Sequence, residues 1–247
     1  MVILDDASRY AGWSLSLYPE AGEAGGCFVP SRRRTYTGVR GAPADPERAQ
    51  LEAGRRARGR LRRYCAAHRL NRLGTLTYGP PFCTDPRRVR RDVGEFFRSL
   101  RVSLGGEPFP YVWVPELHKD GERFHLHFAV GKFVPRRKIE QAWGHGFVHI
   151  KLLGDLPVGS GSLDEARLAA RYLSKYVTKS LVTGVEGLHR FDRAQGFTPE
   201  RIRVRGRTAE EVLAQAIERM GARPSLRWNS DEEPEWRGAP AVWVAWS

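Results

Sequence analysis

The spacing of apolar positions changes period several times along the chain, and each change marks an element. Residues 72–78, centred on Thr75-Leu76-Thr77, alternate as a strand does and stop at Gly79-Pro80-Pro81. Residues 86–104 place Val89, Val93, Phe96, Phe97, Leu100 and Leu104 at helical spacing with arginines on the opposite face. Two strands are expected next, over 111–117 and 124–130, flanking His118-Lys119-Asp120-Gly121, where Asp-Gly is a strong hairpin signal. A helix over 135–143, a strand over 147–153 and a flexible turn or lid over Gly154–Gly161 follow. The capping box Ser162-Leu163-Asp164-Glu165 opens a helix that runs to about Ser180.

Upstream, Asp45 as N-cap and Pro46 at the first position begin a basic helix over 46–70. Downstream, a strand is expected at 201–205, a helix capped by Thr208 with Glu211 and ended by Gly221, and a strand at 241–246. This order predicts an α+β fold: an antiparallel sheet of about five strands with helices packed mainly on one face. Residues 1–45, mixing Gly, Pro and polar residues, read as an irregular arm. Residues 46–182 read as the core domain, and 183–247 as a C-terminal extension packed on or beside it.

Charge adds a partner to this picture. Forty-one Lys and Arg against 28 Asp and Glu give a net charge of +13 over 247 residues. The arginines cluster at 32–34, 55–63 and 87–91, which favours a phosphate-binding surface over a uniform compositional bias, although an anionic membrane or protein would answer to the same charge. No apolar run approaches the roughly 20 residues of a membrane helix, and Met1–Asp6 has no signal-peptide pattern. Three cysteines with no CxxC pair argue for a reducing compartment and against cysteine-bound zinc. The expectation is a cytoplasmic protein with no membrane partner.

Two segments carry candidate chemistry. In Phe124-His125-Leu126-His127-Phe128, strand alternation puts both imidazoles on one face, about 7 Å apart at the backbone. A two-residue turn at Asp120-Gly121 pairs 116 with 125 and sets Glu116 opposite His125. Two imidazoles and a carboxylate can ligate a divalent cation that polarises a phosphate oxygen. A His-x-His pair on a strand is equally compatible with a solvated or hydrogen-bonded face. In Tyr172-Leu173-Ser174-Lys175-Tyr176-Val177-Thr178-Lys179, Tyr172 and Tyr176 lie one turn apart. They stand off the stripe formed by Ala166, Ala170, Leu173, Val177 and Leu181. Such a pair can be packing residues or, beside Lys175 and Lys179, activated nucleophiles.

At these residues the chain resembles the HUH superfamily of single-strand endonucleases, whose members include rolling-circle replication initiators, conjugative relaxases and some transposases. Gly74-Thr75-Leu76-Thr77-Tyr78 is similar to the first motif, His125-Leu126-His127 with Glu116 to the second, and the tyrosine segment to the third in its two-tyrosine form. That form is similar to the gene A replication proteins of small isometric phages and to initiators of actinobacterial plasmids and phages. The resemblance covers about residues 70–182.

It implies an RRM-like core, a Mg²⁺ or Mn²⁺ held by Glu116, His125 and His127, and nucleophiles at Tyr172 and Tyr176 assisted by Lys175 and Lys179. The implied reaction nicks single-stranded DNA at an origin hairpin, leaves a 5′-phosphotyrosine and a free 3′-hydroxyl, and later rejoins the strand. Host helicase and polymerase are the implied partners, in the bacterial host of a plasmid, phage or integrated element. The rivals are an HUH transposase or mobilisation relaxase, and a non-catalytic module that binds single-stranded nucleic acid. Tyr78, Trp113 and Trp143 are candidates for base stacking or for the core.

Overall fold

The computed structural model describes residues 11–31, 43–151, 163–183 (side chains through Val177) and 188–247. The expected Gly154–Gly161 turn and the capping residue Ser162 lie outside the described residues. In chain order, β1 (Gly12–Tyr18) and β2 (Glu23–Val29) precede α1 (Pro46–Ala67), β3 (Arg72–Tyr78) and α2 (Pro86–Ser103). Next come β4 (Tyr111–Leu117), β5 (Phe124–Val130), α3 (Arg136–Trp143), β6 (Gly146–Lys151) and α4 (Leu163–Thr183). The chain closes with β7 (Asp192–Arg193), β8 (Ile202–Gly206), α5 (Ala209–Met220), β9 (Leu226–Asn229) and β10 (Ala241–Ala245).

The helix starts follow from their caps. Asp45 accepts from the Arg48 amide at 3.0 Å and Asp85 from the Arg87 amide at 2.9 Å, each ahead of a proline in the first turn. Thr208 caps α5 by accepting from the Glu211 amide at 3.1 Å, and Gly221 ends that helix in the left-handed conformation. Among the described residues no helix is long and apolar enough to cross a membrane.

Two compact units emerge, residues 45–198 and a second built from 1–44 with 199–247. In the second, five strands in the order β8-β1-β2-β10-β9 pair antiparallel around Leu15, Leu17, Val204, Val242 and Val244, with Val212 and Ala216 of α5 packed on them. The segment expected as an irregular arm therefore contains two strands. Trp13-Ser14-Leu15-Ser16-Leu17 alternates, and its partner strand carries Gly25 and Gly26, which masked it. A Cβ on Gly26 would lie 2.2 Å from the Ser14 carbonyl oxygen, so only glycine allows this approach of β2 to β1.

The unit of residues 45–198 holds an antiparallel sheet in the order β6-β3-β5-β4-β7. On one face Leu76, Trp113, Leu126 and Phe128 meet Val93, Phe96 and Leu100 of α2 and Trp143 of α3. On the other, Leu73, Val112, Val114 and Ala129 meet Leu61 and Tyr64 of α1 and Ala170, Leu173 and Val177 of α4. Helices thus cover both faces, not mainly one as expected. The α+β class holds, with two sheets where one was foreseen.

At the start of β6, Gly146 adopts φ 153°, and a Cβ there would lie 2.3 Å from the Gly79 amide nitrogen and 2.4 Å from the Thr77 carbonyl oxygen. These are backbone atoms that cannot swing aside. Gly146→Ala is expected to cost about 3 kcal/mol, read as a lower midpoint in denaturant unfolding.

Candidate functional site

The hairpin β4–β5 sets the frame. The Gly121 amide donates to the His118 carbonyl at 2.9 Å, and Gly121 takes φ 78°, which glycine adopts without strain. The resulting register pairs Glu116 with His125, as the Asp-Gly turn predicted. β3 adds Thr75 opposite His127 and Thr77 opposite His125. Alternation places all five side chains on the face that α1 and α4 cover.

The hydrogen bonds organise this row. The Thr75 hydroxyl bonds Nδ1 of His127 at 3.0 Å, and the Thr77 hydroxyl bonds Nδ1 of His125 at 3.1 Å. Holding both imidazoles by Nδ1 turns both Nε2 atoms toward the space above the sheet. The Glu116 carboxylate reaches diagonally past His125 to His127, with Oε2 at 2.7 Å from Nε2. His127 is buried at 6% exposure. Burial, and then the charges of His118 and His127, lower the His125 pKa from its ordinary value, so this imidazole is neutral at pH 7. The His118 ring stacks on it, with centroids 5.0 Å apart.

α4 brings the tyrosines to the histidines. Its apolar stripe is buried at Ala166, Ala170, Leu173 and Val177, as the periodicity requires, while the Leu181 side chain lies outside the described residues. The Tyr176 ring lies flat on His127, with centroids 3.6 Å apart and planes at 17°. Its hydroxyl donates to the Tyr172 hydroxyl at 2.6 Å. Burial, then this bond to Tyr172, push the Tyr176 phenol above its ordinary pKa. Nζ of Lys151 stands 4.7 Å from the Tyr172 ring centroid, and that of exposed Lys175 stands 5.8 Å away. A continuous chain of contacts therefore runs Glu116–His127–Tyr176–Tyr172, with two ammonium groups at its far end. The Lys179 backbone continues α4, and its side chain lies outside the described residues.

Sequence reasoning missed Lys151, which only the folding of β6 brings to Tyr172. It also gave no role to Thr75 and Thr77, although their alternation already set them on one face. His149, opposite Thr75 on β6, is exposed on the same side of the sheet. Of the stacking candidates, Tyr78, Trp113 and Trp143 are all core residues, at 2%, 6% and 1% exposure.

A different group has its ligand atoms closest together. Among the described residues Asp92, Glu95 and His145 offer oxygens and a nitrogen all within 4.8 Å of one another, a set with the capacity to hold a divalent ion of undetermined identity. Buried Asp92 also accepts from the Tyr78 hydroxyl at 3.1 Å and pairs with Arg88 at 3.4 Å and Arg91 at 3.3 Å. Those two guanidiniums would compete with any cation there.

Residues 71–181 match the family model of replication-associated proteins of the ORF2 and gene 2 protein type. No curated protein and no solved structure matches the chain. The matched segment contains Thr75, Thr77, Glu116, His125, His127, Tyr172 and Tyr176. It also contains the Asp92 group, so the chain carries a replication-associated segment with capacity for a divalent metal ion.

Proposed function

We propose that residues 45–198 are a metal-dependent enzyme that nicks and rejoins single-stranded DNA to initiate rolling-circle replication. The observation that carries this reading is the contact chain from Glu116 through His127 and Tyr176 to Tyr172, inside a segment matching a replication-associated family.

Glu116, His125 and His127 fit a divalent cation chemically. Two imidazoles are already oriented by threonines, and the Nε2 of His127 and the Glu116 carboxylate share a hydrogen bond that a cation can replace. A Mg²⁺ or Mn²⁺ there supplies Lewis-acid polarisation of a phosphate oxygen. The tyrosines supply the nucleophile. One phenol loses its proton, its oxygen bonds to phosphorus and the P–O3′ bond breaks, giving a 5′-phosphotyrosine and a 3′-oxygen that takes up a proton. Lys175 and Lys151 favour negative charge on Tyr172, and Lys179 is assigned the same role. The second tyrosine can attack a regenerated origin while the first holds the strand, so cutting and joining alternate between them. The free 3′-hydroxyl primes a polymerase, with a helicase opening the duplex, in the cytoplasm of a bacterial host.

The test is incubation of the full chain with a randomised pool of labelled single-stranded hairpins and Mn²⁺, followed by a denaturing gel. A covalent band that EDTA removes is the expected result. Retained hairpin binding with no covalent band would instead mark a non-catalytic binding module. Captured sequences from a transposon end or transfer origin would reassign the same chemistry to a transposase or relaxase.

A further inference from the structure

The unit of residues 45–198 contains a second concave site, and it does not involve the histidine face. A cavity of about 420 Å³ opens between α2, the first residues of β4 and the segment around β7. That volume lies within the range of small-ligand sites, roughly 300–1,000 Å³. Its inner wall is aromatic. Phe97 and Trp113 are buried at 3% and 6% exposure, Tyr111 lies flat on Phe97 with centroids 3.5 Å apart, and half-buried Phe197 also lines the space. Tyr111 and Trp113 alternate with Val112 and so point to the α2 side of the sheet, away from Glu116 and the tyrosines.

The rim is cationic. α2 contributes Arg90, Arg98 and Arg101, and β7 contributes Arg193. The acid in the lining, Asp192, is held by Arg90 at 3.3 Å, which leaves the rim a clear positive excess. At the middle of α2 sits Gly94, also in the lining, where a Cβ would meet nothing within 4 Å. A glycine inside a helix costs about 1 kcal/mol relative to alanine. No close approach of backbone or side chain requires it here. What the missing side chain does is keep the cavity open.

Aromatic wall and guanidinium rim together match one ligand chemistry. Flat rings receive a nucleobase, and arginines receive its phosphates. A simple anion would use the rim and leave the aromatic wall uncovered. We propose that this cavity binds a nucleoside phosphate, either free or as one nucleotide of a strand, at a site distinct from the tyrosine centre. Binding here depends on the cavity alone and stands whether or not the tyrosines are nucleophiles.

Equilibrium dialysis of the full chain against labelled dATP in EDTA tests it. Saturable binding is expected, weakened roughly tenfold or more by Arg98→Ala/Arg101→Ala, and unchanged by Tyr172→Phe/Tyr176→Phe. Gly94→Leu is expected to abolish binding without lowering the melting temperature, since leucine is the better helix former and fills open space. Should that variant melt early, the exposed arginine pair decides alone. Displacement of dATP by a short oligothymidylate assigns the cavity to a strand nucleotide, and failure to displace assigns it to a free nucleotide. No saturable dATP binding, or binding that the arginine pair does not weaken, overturns the proposal.

Discussion

Replacing Tyr172 and Tyr176 together by phenylalanine is expected to abolish the covalent protein–DNA adduct, a loss on the order of 10⁴-fold or more. Phenylalanine keeps the ring and removes the oxygen that would bond to phosphorus. The ring contact of residue 176 with His127 is preserved, so the fold is retained and DNA binding persists. Each single variant keeps one phenol and is expected to form adduct while losing repeated transfer between two tyrosines. The Tyr172–Tyr176 hydroxyl bond makes the single variants informative in a second way. Tyr172→Phe removes the acceptor for the Tyr176 hydroxyl and so lowers the raised pKa of that phenol toward its ordinary value. Gel quantitation of adduct at matched DNA occupancy checks both. Undiminished adduct in the double variant would move the nucleophile elsewhere.

The second large effect is expected at the histidines. His125→Ala should reduce adduct formation on the order of a hundredfold, as loss of about 3 kcal/mol of transition-state stabilisation implies. It should also weaken Mn²⁺ binding followed by the loss of the free-ion paramagnetic signal. The stability cost is small, about 1 kcal/mol, because His125 is half-buried and is held by a hydrogen bond to Thr77. His127→Ala is less clean. That ring is buried, bonds both Thr75 and Glu116, and carries Tyr176 on its face, so about 2–3 kcal/mol of stability goes with it. Burial lowers the His125 pKa below its ordinary value, so its lone pair is available at pH 7 and Mn²⁺ binding should fall only as pH drops below the normal histidine range. A His125→Ala protein that binds Mn²⁺ and forms adduct as before would make the histidine pair structural.

Much of this was legible in the chain. β3, β4 and β5 fall within the bounds that alternation and Asp120-Gly121 predict, and the 116–125 register follows from the turn. Register did not reveal which imidazole Glu116 touches. That depends on a side-chain rotamer, and the carboxylate reaches His127. The one-face packing error has a similar origin. Phe124, Leu126, Phe128 and Val130 make one face of β5 plainly apolar, while His125 and His127 make the other look solvated. Yet Ala129, Val112, Val114 and Leu73 form an apolar floor on that second face, and α1 and α4 cover it. Asp92 and Glu95 lie on α2, whereas His145 lies far along the chain just before β6, so their proximity belongs to tertiary structure alone.

The residues around the tyrosines make the attached side chain identifiable. Trypsin cleaves after Arg171, Lys175 and Lys179, which separates Tyr172-Leu173-Ser174-Lys175 from Tyr176-Val177-Thr178-Lys179. Nuclease trimming of the adduct followed by mass spectrometry then reports which peptide carries DNA. The predicted result is a 5′-linked nucleotide mass on one or both of these two peptides, and on no other. A nucleotide on any other tyrosine peptide, or a non-covalent complex alone from a pool shown to contain bound hairpins, would contradict the assignment of Tyr172 and Tyr176 as nucleophiles.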